Sequence, residues 1–175
     1  ESDVPMIMAN QTFAMSFPEK RTFFLEGAQL LKSDMETVYT RSITNPLGAL
    51  KFINQGPSSS TYLMQATDTD SPYLAAGQYK SFRGNAGKSK VTIGRYKKNL
   101  GNQSHIGIIA TNRDYQVGGS GSLIEFDSLI NFLDDYILDL NYARSDTQEG
   151  NVNFIDTHET FVGRTYAMDG ESFSG

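Results

Sequence analysis

The chain has 175 residues, 15 Lys+Arg against 20 Asp+Glu and a formal net charge of -5, which fits one domain or a substantial piece of a larger one and excludes a chain-wide electrostatic grip on nucleic acid. Cysteine is absent, so a disulfide framework, a thiolate metal site and a cysteine nucleophile are excluded. No run approaches the ~20 apolar residues of a transmembrane helix, but the mean hydropathy of -0.39 suits a soluble β-protein and a membrane β-barrel equally, because barrel strands alternate.

The chain opens Glu1-Ser2-Asp3-Val4-Pro5 without an initiator Met or a signal segment, and is expected to be a processed product or a fragment of a longer chain. Met6 to Ser16 mixes apolar and polar residues and reads as a first strand. The next segment, Phe17-Pro18-Glu19-Lys20-Arg21-Thr22-Phe23-Phe24-Leu25-Glu26-Gly27, is the densest local signal. Aromatics flank four ionic groups, and Pro18 breaks the strand. Glu19, Lys20, Arg21 and Glu26 are expected to form a structural ionic cluster, since charge away from water is stable only when paired. That cluster is placed in a tight turn locking two strands together; a binding or catalytic cluster is the competing reading.

Thr37 to Ile43 reads as a strand. Leu47 to Gln55 and Ser60 to Thr67 flank Gly56-Pro57-Ser58-Ser59 and read as a hairpin. Asp68 to Gly87 is a long, polar, glycine-containing connection. Lys88 to Lys98 and Gln103 to Arg113 flank Asn99-Leu100-Gly101-Asn102, a second hairpin. In Leu123 to Leu133, Leu123, Phe126, Leu129, Ile130 and Leu133 fall at helical spacing, but a strand over Ser122 to Asp127 followed by a turn is preferred. Tyr136 to Tyr142 is the clearest strand: Tyr136, Leu138, Leu140 and Tyr142 line one face, while Asp135, Asp139 and Asn141 take the other and Ile137 is the exception. Tyrosines bracketing leucines are the order of a lipid-facing strip with interfacial aromatics; an amphipathic strand of a soluble sandwich is the alternative. Phe161 to Met168 closes the series. Short turns alternate with longer connections, and the segments approach the ~9–11 residues of a membrane-spanning strand.

The motifs that carry chemistry fail one by one. Gly87-Lys88-Ser89 ends like a phosphate loop, but Phe82 stands where the first glycine belongs and a strand follows instead of a helix. Asp68-Thr69-Asp70 opens like a calcium loop, but Pro72 takes a ligand position and Tyr73 the glycine position. Asp156-Thr157-His158-Glu159 would send its groups to both faces of an extended chain, with His105 the only other histidine, so no converging metal set forms. Ser120 in Gly118-Gly119-Ser120-Gly121-Ser122 lacks the second glycine of a nucleophile elbow. No catalytic residue, metal site or cofactor is assigned.

The phrase SFPEKRTFFLEGA, followed by VYTRSI, resembles the barrel domain of a poorly characterised bacterial family. Its members place a carbohydrate-binding family 9-like β-sandwich before an outer-membrane β-barrel that opens with a phrase close to FFPEKRxFFLEGA and then FYSRRIG. Phe17 to Ala28 matches the first phrase, with Ser16 replacing an aromatic; Tyr39, Arg41 and Ile43 match the second. The Tyr73-Leu74 to Gly77 stretch, Arg95-Tyr96-Lys97 and Ile106-Gly107-Ile108-Ile109-Ala110-Thr111 with Arg113 look like later landmarks. No stretch corresponds to the sandwich module, so sugar binding does not carry over, and family barrels continue for several hundred residues. Some members carry a hydrolase label, but no catalytic residues transfer.

The expected fold is all-β, an antiparallel meander forming a segment of an outer-membrane β-barrel from a Gram-negative bacterium. Lys51, Arg95, Lys97 and Asp139 are expected to line a wet lumen, and Tyr136, Leu138, Leu140 and Tyr142 to face lipid. The expected role is structural or transport-related, in passage or capture of a nutrient such as a glycan. The expected partners are outer-membrane lipid and the remaining strands of the barrel or another envelope chain, with no nucleic acid. The competing readings are a soluble carbohydrate-binding β-sandwich and a hydrolase.

Overall fold

The computed structural model describes residues 18–76, 81–132, 136–148, 153–156, 159–162 and 167–174. Among them, a one-turn helix α1 (Thr22–Leu25) and 3-10 turns at Ala28–Leu31 and Thr40–Ser42 precede the strands. These are β1 (Pro46–Gln55), β2 (Ser59–Asp68), β3 (Pro72–Ala76), β4 (Ser81–Asn85), β5 (Ser89–Gly101), β6 (Ser104–Tyr115), β7 (Ser120–Phe132), β8 (Tyr136–Gln148), β9 (Asn153–Asp156), β10 (Glu159–Val162) and β11 (Ala167–Ser174). Seven strands form one antiparallel sheet in the order β1-β2-β5-β6-β7-β8-β11. The all-β antiparallel meander is therefore as expected. The sheet is not closed among the described residues: β1 and β11 are its edges.

The two ends of the sheet differ. At one rim the connections are tight. The Gly56 amide donates to the Ser59 carbonyl at 2.9 Å, and β5 turns into β6 through Asn102 (φ 46°) and Gln103 (φ 56°). Two successive left-handed residues make the turn whose twist matches the flanking strands, and asparagine tolerates that conformation. At the other rim β6 turns tightly into β7, but β3 pairs with β4 between β2 and β5, and β9 pairs with β10 between β8 and β11. These two hairpins touch through β4 and β9.

Period-two alternation gives the sheet two unlike faces. One is covered by residues 18–45, which run across it as a strap. Phe24, Leu31 and Ile43 of the strap pack on Tyr62, Met64, Ala66, Val91 and Ile93 of β2 and β5. The strap reaches this depth through Gly27, whose φ of 77° suits a residue without a side chain. A Cβ there would overlap Ile53 Cδ1. Gly27→Ala is expected to cost about 1–3 kcal/mol through left-handed strain and this clash, read as a lower midpoint of denaturant unfolding; an unchanged midpoint would refute the close approach.

Among the described residues the opposite face is left bare. Tyr96, Ile108, Phe126, Tyr142 and Phe173 stand side by side in register across β5, β6, β7, β8 and β11, with exposures from 38% for Tyr142 to 70% for Phe173. A second row, Phe52, Leu63, Gly94, Ala110 and Ile124, runs across β1, β2, β5, β6 and β7. Towards the tight-turn rim, Phe132 stacks on Tyr136 with ring centroids 5.7 Å apart. Towards the hairpin rim the same face turns polar, through Gln65, Thr92, Asn112, Ser122 and Asp146.

Several expected elements are corrected. Thr37 to Ile43 is no strand, because its side chains serve the strap and Thr40–Ser42 forms a 3-10 turn. Asp68 to Gly87 is no plain loop but carries the β3–β4 hairpin. The β5–β6 turn sits at Asn102-Gln103, later than expected, because Asn99 and Gly101 still pair with His105 and Ser104. The strand preferred over Ser122 to Asp127 continues without a turn to Phe132, since ladder pairing with β8 outweighs the local helical spacing. Phe161 and Met168 belong to different strands, β10 and β11, in different sheets. The expected Met6 to Ser16 strand lies outside the described residues.

Candidate functional site

The expected ionic cluster is divided in two by the structure. Glu19 and Arg21 pair with each other, Nη2 to Oε2 at 2.8 Å and Nε to Oε1 at 2.9 Å. Glu26 instead pairs with Lys51 of β1 at 2.9 Å. Lys20 is exposed and forms no ion pair among the described residues. The reason is the chain path: α1 carries Glu26 away from Glu19 and towards β1. The segment does not lock two strands together, as expected, but fastens the strap to itself and to the sheet edge.

Arg21 also donates to the carbonyls of Ile43 and Thr40, the Thr40 hydroxyl donates to Glu19 Oε2 at 2.9 Å, and Arg41 donates to the Pro18 carbonyl at 2.6 Å. The PEKR and YTRSI segments, distant in sequence, thus form one clasp. Arg21 further lies 4.1 Å over the Phe24 ring. Lys51, its side chain 5% exposed, donates to the carbonyls of Phe23 and Glu26. Within the clasp the Glu19 carboxylate accepts from Arg21 and Thr40, and the Arg21 guanidinium donates to Glu19, Thr40 and Ile43.

Burial by itself would raise the Glu19 carboxyl. The hydrogen bonds from Arg21 and Thr40 and the guanidinium charge overcome it and hold the group down at about 2. A folded-state value below the ordinary carboxylate value contributes stability that is complete above about 4.5 and is lost as pH falls towards about 2. Acid unfolding of the protein is expected to show this loss in that window, and Glu19→Gln to remove it. An identical acid profile for Glu19→Gln would refute the clasp.

The remaining polar side chains of the covered face gather under the strap's second half. Arg95 of β5 donates through Nη2 to Asp127 Oδ2 of β7 at 2.9 Å, and Nη1 contacts Oδ1. The pair is 3% and 5% exposed. His105 Nε2 of β6 lies 3.4 Å from Asp127 Oδ2. This approach is possible because Gly107 sits between them; a Cβ there would lie 2.6 Å from Arg95 Nη2 and 2.7 Å from Asp127 Oδ1. Lys97, Asp139 and Asn141 continue the floor, and Lys32, Ser33, Asp34 and Glu36 of the strap line the other side of a half-open cavity of about 400 Å³. Lys51, Arg95, Lys97 and Asp139 do share one face of the sheet, as their register places them.

Tyr136, Leu138, Leu140 and Tyr142 share the bare face of β8, while Asp139 and Asn141 take the covered face. The Asp68 carboxylate accepts the amides of Thr44 and Asn45 at 3.0 and 2.8 Å and pins the strap's exit to the end of β2. Gly87-Lys88-Ser89 leads into β5 and not into a helix. Among the described residues no group of three or more His, Asp or Glu converges on a metal position; Thr157 and His158 lie outside them. The Arg95–Asp127–His105 group was not singled out in the sequence. Its members sit on three strands and alternate with apolar residues, so only pairing register brings them together. No protein-family model, curated protein or solved structure matches the chain.

Proposed function

We propose that the chain is a segment of an outer-membrane β-barrel with a structural or transport role, in which the bare face meets lipid and the covered face lines the interior. The observation that carries this reading is the lateral row Tyr96-Ile108-Phe126-Tyr142-Phe173, exposed across five adjacent strands. Soluble monomers rarely leave a contiguous apolar surface of that extent, whereas aromatic girdles around an apolar band are the outer surface of a membrane barrel. Leu138 and Leu140 then fill the band between Tyr136 and Tyr142, roughly 20 Å along the strand at about 3.4 Å per residue. The rim asymmetry supports the same reading, because outer-membrane barrels have short periplasmic turns and longer outer connections. The edges β1 and β11 must pair with further strands of the barrel or with another envelope chain, since open edges are not tolerated in lipid. The solute is hydrophilic by the character of the interior, with a glycan nutrient as the candidate.

Extraction tests this reading. The full-length protein is expected in the membrane fraction and to need detergent for release. If it stays aqueous and monodisperse without detergent, the barrel reading fails, and a soluble sandwich that covers the bare face with a second sheet takes its place.

A further inference from the structure

The strap is fastened in two chemically different ways. Its first half is anchored by apolar burial: Phe24 and Leu31, joined by Ile43 at the exit, sit in the core formed with β2 and β5. Its second half, residues 32–39, crosses β6, β7 and β8 mainly on polar contacts, with Val38 packed against the core near its far end. The Thr37 hydroxyl donates to Glu125 Oε2 of β7, and Asn141 Nδ2 of β8 donates to Asp34 Oδ2 at 3.5 Å, the long end of a hydrogen bond. Beyond this stretch, Arg113 of β6 holds the Ser42 carbonyl and hydroxyl, each at 3.1 Å.

That polar crossing is poorly satisfied. Among the described residues, the buried side-chain atoms without a hydrogen-bond partner are Ser33 Oγ, Arg95 Nε, Glu125 Oε1 and Asn141 Oδ1. One belongs to the strap, two belong to the residues its latch contacts, and the fourth belongs to the ion pair on the floor. Each such atom costs free energy in the closed arrangement that water or a solute hydroxyl would recover. Glu36, at the edge of the cavity, has a φ of 47°, a left-handed conformation that is strained for a residue with a side chain. Apart from Val38, residues 32–39 are thus held weakly in the closed position, while the anchor on either side of them is not.

We propose that residues 32–39 are a gate in the barrel interior, hinged on the apolar anchor and latched by Thr37–Glu125 and Asp34–Asn141. Its opening exposes Lys97, His105, Asp127, Asp139 and Asn141 as the contact site for a small hydrophilic solute with donors and acceptors of both kinds. The site carries both signs of charge and both hydrogen-bonding roles, which selects against an apolar permeant. The inference rests on the barrel reading, and deepens it by assigning the interior segment that controls access.

Full-length protein reconstituted in lipid vesicles and planar bilayers tests it, with potassium chloride current as the readout. Flotation with the vesicles comes first: if the parent protein does not float, the barrel reading fails and the gate with it. For protein that floats, the double variant Thr37→Ala, Asp34→Ala is expected to raise single-channel conductance or open time several-fold over the parent. A second variant, Thr37→Cys with Glu125→Cys, bridged by a short bis-methanethiosulfonate that forms a disulfide with each cysteine, is expected to hold the current at its low level until reductant cleaves the disulfides. The gate is overturned, with the barrel intact, if both variants float and conduct like the parent. It is also overturned if the bridged protein conducts as well as the reduced one.

Discussion

Asp127→Ala is expected to destabilise the protein by about 3–5 kcal/mol, the range for breaking one side of a buried ion pair. The loss does not come from the attraction itself. It comes from leaving Arg95, 3% exposed, with a guanidinium that Asp127 no longer balances and a Nε that is already without a partner. Thermal unfolding of the detergent-solubilised full-length protein reads the effect. Two companion variants separate causes. Gly107→Ala leaves both charges in place but puts a methyl group 2.6 Å from Arg95 Nη2, so it should destabilise through displacement of the pair. Replacing Arg95 and Asp127 together with leucine or methionine should recover much of the loss, because the uncompensated charge disappears with the pair. An Asp127→Ala protein within a few tenths of a kcal/mol of the parent would mean that water screens the site and that the pair is not buried in the assembled protein.

On the proposed barrel reading, Leu138→Arg is expected to impair membrane assembly by roughly 2–4 kcal/mol, the cost of arginine at the mid-bilayer position of a barrel's lipid face. Leu138 sits on the bare face of β8 between Tyr136 and Tyr142, beside Ile130 of β7. Asp139, its neighbour, lies on the covered face and lines the cavity, so Asp139→Asn should assemble normally. The contrast between adjacent residues is the informative measurement, since a general sensitivity of β8 would affect both. Heat-modifiable migration and recovery in the membrane fraction report assembly. Equal tolerance at the two positions would refute the assigned facing.

Much of the sheet was legible in the sequence because a strand's alternation is a local property. Tyr136 to Tyr142 shows its two faces in consecutive residues, and the structure keeps that division. The β1–β2 hairpin was legible for the same reason, with a Gly-Pro-Ser-Ser turn between two alternating runs. Misreadings arose where a local pattern served a distant partner. Thr37 to Ile43 looks like a strand because Val38 and Ile43 face the core, but its hydrogen-bonding groups are taken by Pro18 to Arg21 and by β7. Leu123 to Leu133 has helical spacing, yet it pairs residue for residue with β8 up to Phe132.

The sequence alone determined the all-β class, the amphipathic character of the strands and the density of charge around Glu19, since each depends on residue order over a few positions. Only the tertiary structure decided that Glu26 leaves Glu19 for Lys51, and that Pro18 to Arg21 closes on Thr40 to Ile43. Only it decided that Arg95, His105 and Asp127 meet beneath the strap. The physical reason is register: which residues of neighbouring strands stand opposite one another depends on turns and ladder pairing far from the residues themselves. Among the described residues, register likewise leaves β1 and β11 as the sheet's edges and sets the exposed apolar rows on one face.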